Sequence, residues 1–306
     1  MVLLGTSQLV TLFEDEAGFI LAARRNLAES LGAFAVGNPD HMHPPFPDII
    51  LHLWLRAAGV DPALIRIPFI ACYCLGLWMI SDTAERLWNK GWTALFIGIA
   101  SPFGYFMGHA AGWYSLTFLE IAILTWLYFR WRAATRRTNL TLLGVCALLL
   151  IYTNYLGWVF IAVLYLDLIA TDKNGATRSF LAMIAGLAIA YLPLVPAFVP
   201  LVHSTIASAR GSILETISHG VYLTYSLMSS EMIAPWSWPG VISAFLGIVV
   251  LFACAKQRES RRFLLWLVGS LGVSLCTGGT DGGNGSLYLV PGCCCSLRPW
   301  SASPGA

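Results

Sequence analysis

Apolar residues gather along the chain in long runs. Eight stand out, at roughly 63–82, 92–108, 111–129, 140–153, 156–171, 179–201, 236–255 and 262–276. A helix needs about 20 apolar residues to cross the hydrocarbon layer, and a backbone in lipid must satisfy its own hydrogen bonds. The pattern therefore predicts an all-α fold: a polytopic membrane helix bundle of about eight transmembrane segments, with an extracytoplasmic first loop (14–62) carrying amphipathic helices. The stretch "LTLLGVCALLLIYTNYLGWVFIAVLYLDLIA" (140–170) has the length of one helix or two, and the polar cluster "YTNYLG" divides it.

Charge sorts the connections. Arg86 and Lys90 share one, Arg130, Arg132, Arg136 and Arg137 another, Lys173 and Arg178 a third, and Lys256, Arg258, Arg261 and Arg262 a fourth. Twelve of the eighteen basic residues thus fall in every second connection, the bias that marks cytoplasmic loops. The opposite face receives residues 14–62, the turn near 109, the "YTNYLG" break and the connection 202–235. All six histidines (His41, His43, His52, His109, His203 and His219) fall on that face or at its edge. Titratable groups concentrated there are what an outward-facing site requires. Histidines in ordinary solvated loops are the plainer reading.

Within the first loop, "FEDEAGFILAARRNLAESL" (13–31) places Glu14, Asp15 and Glu16 ahead of an amphipathic pattern of Ala17, Ile20, Leu21, Ala23 and Leu27. Acids in a first helical turn are routine capping and dipole partners. Farther on, "DHMHPPFP" sets Asp40, His41 and His43 before two adjacent prolines. Imidazole and carboxylate suit a divalent metal such as Zn or Mn, with His41 and His43 on one side of the chain if it is extended. A solvated loop is the alternative. Glu120 stands inside an apolar run, where an acid costs about 2.5–3.5 kcal/mol on insertion scales. It is expected to reach a cavity or to pair with Arg66; a proton pathway is the sharper reading, and an interior acid that is simply protonated or hydrogen-bonded is the plainer and favoured one.

Composition agrees with a membrane protein: 57% hydrophobic, 11% charged, mean hydropathy +0.70. A net charge of +2, with no basic run apart from the ends of apolar segments, excludes a nucleic-acid partner. Cys72, Cys74, Cys146 and Cys254 lie in apolar runs and read as small hydrophobes. Cys293, Cys294 and Cys295 lack metal-type spacing, so no cysteine is assigned to catalysis or zinc. Residues 1–13 lack a basic n-region and are too short to span a bilayer.

Six features follow one another in order: Asp15 with Glu16; His43 with Pro44 and Pro45; Leu64 to Arg66; Ser101 with Pro102; Tyr114; and Tyr152 to Tyr155. This order, over about residues 13–170, resembles the GT-C glycosyltransferases of family 39. That family includes the protein O-mannosyltransferases and the bacterial aminoarabinose transferases. These multispanning enzymes take a sugar from a polyprenyl-phosphate carrier on the outer side of the membrane. The chain departs from the family pattern at Gly112, where relatives often have Arg, at Asn154, where His is usual, and at His43, where Lys is common.

The resemblance implies a transfer to an acceptor hydroxyl with inversion at the anomeric carbon. Asp15 is the expected base, with Glu16 second; a phosphate leaves without a strong acid, so one carboxylate suffices. His43, His41, Arg24 and Arg25 are the expected holders of the donor phosphate. Asp40, His109, Tyr114, Tyr152, Asn154 and Tyr155 are expected to line the outer site. The partners implied are a polyprenyl-phosphate sugar, a hydroxyl-bearing glycan, lipid or protein, and the bilayer. No cofactor is called for beyond the divalent metal that Asp40, His41 and His43 suit. The expected location is the bacterial inner membrane, multi-pass, with the active site facing outward.

The alternatives of another class are a multispanning transporter or lipid-binding protein that uses Glu120 and the outer histidines, and an inactive fragment. A transporter calls for paired broken helices, and "YTNYLG" is a single candidate. A GT-C-like domain is expected over 1–276. Residues 277–306, rich in Gly, Ser and Cys, form an irregular tail expected to be a frameshift product, because family 39 enzymes continue with further membrane helices. A transmembrane helix also precedes the acid pair in those enzymes, so the chain is expected to be a truncated member.

Overall fold

The computed structural model describes residues 14–35, 44–101, 104, 108, 110–134, 136–171, 176–199 and five isolated helical positions, 238, 241, 242, 245 and 249. All regular structure among the described residues is helical. In chain order the helices are α1 (Glu14–Arg24), α2 (Leu27–Ala35), α3 (Phe46–Ala58), α4 (Pro62–Trp88), α5 (Gly91–Ala100), α6 (Trp113–Ala134), α7 (Arg137–Thr153), α8 (Gly157–Thr171) and α9 (Ala176–Tyr191). A 3₁₀ turn, Leu192–Leu194, carries α9 onward to Val199.

Two helices, α4 and the Ala176–Val199 unit, are long and apolar enough to cross a membrane; α5, α7 and α8 are apolar but shorter. The first six expected apolar runs coincide with α4 to α9. Apart from those five helical positions, the last two lie outside the described residues, as does the tail after Cys276.

Helix ends follow local chemistry. Asp61 caps α4 by accepting from the amides of Ala63 (2.9 Å) and Leu64 (3.3 Å). At its far end Asn89 adopts the left-handed conformation (φ 56°), and its amide reaches the Glu85 carbonyl at 2.9 Å. The run expected over 92–108 stops as α5 at Ala100, because Ser101 precedes Pro102 and takes the extended backbone that proline imposes on its predecessor. The "YTNYLG" division holds. Asn154 is extended (φ −151°, ψ 129°), and its side-chain oxygen accepts the Leu156 amide at 2.9 Å while its carbonyl accepts that of Gly157 at 2.9 Å.

The amphipathic pattern over 13–31 divides into two helices. Arg25 and Asn26 separate them, with Asn26 accepting the Ala28 amide at 3.1 Å. Ile20 and Ala23 are buried as the pattern anticipates, but Leu21 is exposed, one position off the buried stripe.

The bundle is built on α4 against α6 and α6 against α7, with α8 and α9 packed on α7. The close approach of α4 to α6 depends on Gly76, whose missing Cβ would stand 2.6 Å from the Phe118 ring. The core of the second half is formed by Tyr128, Leu143, Leu150, Ile151, Leu164 and Phe180.

The two ends of the bundle differ. One, the basic end, joins α4 to α5 and α6 to α7, and carries Arg86, Arg130, Arg132, Arg136, Arg137 and Arg178. Here Asp82 binds Arg86 (2.7 Å) and the Trp126 indole (2.6 Å), while Asp167 receives Tyr128 (2.7 Å) and Arg132 (3.2 Å). The other, the platform end, is covered by α1 and α3. Ile20, Ala23, Leu51, Leu55, Ile65 and Phe69 form its own small core.

A proline fastens this platform. Pro68 lies within α4 and has no amide hydrogen to give to the Leu64 carbonyl four residues back. The Trp54 indole of α3 donates to that carbonyl at 2.8 Å.

Candidate functional site

The platform end gathers three of the sequence features around one carboxylate. Glu16 accepts from Arg66 Nε at 3.1 Å and Arg66 Nη2 at 2.8 Å, a bidentate geometry, and from the Ala111 amide at 2.7 Å. The acid and the guanidinium are 2% and 0% exposed. Such a pair holds its geometry because each buried charge faces the other. Arg66 is thus the partner of Glu16, which corrects the expected pairing of Arg66 with Glu120.

The same helix places Asp15 in the first turn of α1, one residue before Glu16. Arg24 and Arg25 lie at the opposite end of α1 and are exposed. Nine residues separate Asp15 from Arg24, about 13 Å along the axis at 1.5 Å per residue, so the structure does not gather these arginines at the acid pair. Asp40, His41, His43 and His109 lie outside the described residues. Among the described residues no group of three or more His, Cys, Asp or Glu side chains could hold a metal ion.

The expected lining residues on α6, α7 and the break fall at the platform end. Tyr114 packs on Trp113 with ring centroids 4.0 Å apart, beside Gly112. Tyr152 donates to the Ala190 carbonyl at 2.7 Å, and Tyr155 meets Phe198 at 5.0 Å. Tyr191 meets Tyr152 and Trp158 at near right angles, so an aromatic cluster joins the ends of α7, α8 and α9. Asn154 is buried and spends its side-chain oxygen on the turn.

Two residues acquire a meaning that their letters lacked. His52 is buried, and its Nδ1–H donates to the Ala23 carbonyl at 2.8 Å, tying α3 to α1. Asp48, in the first turn of α3, has a buried Oδ1 with no hydrogen-bond partner. Burial pushes its carboxyl up from 3.8 to about 7. An acid directly after "PPFP" was the available signal, yet nothing in that string says which oxygen loses water. Chemically, the platform end offers a carboxyl that titrates near neutrality and an acid pair held at a helix start.

Comparison with protein-family models, with curated proteins and with solved structures finds no match.

Proposed function

We propose that the chain is a GT-C type membrane glycosyltransferase similar to family 39, transferring a sugar from a polyprenyl phosphate to an acceptor hydroxyl. The bundle of α4 to α9 lies in the membrane, the basic end faces the cytoplasm, and the platform faces outward. One observation carries the reading: Glu16, Arg66 and Ala111, separated by 50 and 45 residues, meet in a single buried cluster. They belong to the acid pair, the "LIR" segment and the turn before Tyr114, three features of the resemblance that have no local reason to adjoin.

In this reading Glu16 is the anchor and Asp15 the base. Glu16 is buried and already engaged by a guanidinium and an amide, so it is not free to meet an acceptor hydroxyl. Asp15 removes the acceptor hydroxyl proton as that oxygen attacks the anomeric carbon, and the lipid phosphate departs with the bonding electrons. The full chain, reconstituted in vesicles with a radiolabelled polyprenyl-phosphate sugar and acceptor, tests it. Loss of a general base removes about 10²–10⁴-fold of rate, so Asp15→Asn is expected to lower turnover at least about a hundredfold. Turnover equal to that of the unaltered chain would remove Asp15 from the mechanism.

A further inference from the structure

Glu120 lies on α6 seven residues below Trp113, about 10 Å along the axis from the platform end. It is 3% exposed. Thr153, the last residue of α7 and fully buried, places its single hydroxyl 2.8 Å from Glu120 Oε1 and 2.9 Å from the Leu149 carbonyl. A hydroxyl has one hydrogen and therefore serves one acceptor. Were Glu120 a carboxylate, both neighbours would be acceptors and one short contact would lack a proton. With a hydrogen on Oε1, Glu120 donates to Thr153 and Thr153 donates to Leu149, and both contacts are made.

The surroundings agree. Glu120 Oε2 is buried without a hydrogen-bond partner, and so is the Thr117 hydroxyl one turn nearer the platform on the same helix. Among the described residues Glu120 enters no ion pair, and Arg66 is engaged by Glu16. The ionisable groups that face Glu120 from the adjoining helices are the thiols Cys72 of α4 and Cys146 of α7, neither of them a cation. Toward the basic end the core closes with Leu124, Leu143 and Ala147, all fully buried. The Thr125 hydroxyl there is bonded to its own helix at Ile121. Toward the platform end the polar path continues from Thr153 to Asn154, where the helix breaks.

We propose that Glu120, Thr153 and Thr117 form a proton-binding site inside the bundle, loaded from the platform end through the break at Asn154. A hydronium ion delivers the proton; an O–H bond forms at Oε1, one O–H bond of the hydronium breaks, and water departs. The site is independent of the transferase reading and stands whether or not sugar transfer is found.

Infrared spectroscopy of the full chain in lipid vesicles at neutral pH tests it. The spectrum of the unaltered chain minus that of Glu120→Gln is expected to contain the carbonyl band of a protonated carboxylic acid, shifted down in heavy water. Carboxyl-¹³C labelling of glutamate is expected to move the same band, and in Glu120→Asp, which keeps a carboxyl should Glu120→Gln fail to assemble, that label is expected to leave the band in place. Thr153→Val is expected to slow the heavy-water shift. Carboxylate bands alone at this residue would overturn the proton site, and an unchanged exchange rate in Thr153→Val would overturn its route.

Discussion

At Asp48 a single oxygen decides how the residue behaves. Its carboxyl titrates near 7 when folded and near 3.8 when exposed, because burial penalises the charged form. The folded state therefore binds more protons between those values. The stability that the protonated acid provides is complete below about 3.8 and is lost as pH rises through about 7. Asp48→Asn is expected to flatten this dependence and to leave the protein more stable than the unaltered chain above neutrality. Thermal unfolding in detergent across that pH range checks it, and parallel curves for the two proteins would refute it. The sequence drew attention to the acids of the first loop, but not to the fact that Glu16 anchors while Asp48 titrates. The difference lies in partners: Glu16 meets Arg66 and Ala111, 50 and 95 residues away, and no local window contains them. His52 was legible as a histidine on the platform face, and its tie to the Ala23 carbonyl depended on packing alone.

Elements were more legible than residues, because their ends are written locally. Pro102 stops α5, Asn154 divides α7 from α8, and Asp61 starts α4, each by a conformation or hydrogen bond within four residues. How elements join was not legible. The clamp of Glu16 on Arg66 and Ala111 holds α1 to α4 and to the entry of α6. Removing one member of a buried pair leaves the other charge uncompensated, at about 3–5 kcal/mol. Glu16→Gln is expected to destabilise the fold on that scale, read as a lowered unfolding midpoint in detergent. Adding Arg66→Met is expected to recover part of the loss, since the stranded charge is then gone. Equal stability of Glu16→Gln and the unaltered chain would mean that the clamp does not hold α1.

For the whole molecule, the apolar runs and the spacing of Lys and Arg anticipated an all-helical bundle with two unlike ends, and the fold places Arg86, Arg132, Arg136 and Arg178 together at one of them. Under the proposed orientation, cysteines introduced singly at Lys90 and Arg137 in a cysteine-free background are expected to resist an impermeant maleimide added outside the cell. Cysteines at the exposed positions Val60 and Leu156 of the platform end are expected to react. The reverse pattern would invert the topology. The clamp at Glu16 also carries a consequence in time. The ribosome delivers Glu16 first, Arg66 after fifty more residues and Ala111 after another forty-five. A domain assembles as its parts emerge, and α1 has no complete seat until the start of α6 has been made. Helix α1, the first among the described residues, is thus among the last to settle, and any fault in inserting α4, α5 or the entry of α6 leaves Glu16 and Arg66 without the neighbours that each was placed to meet.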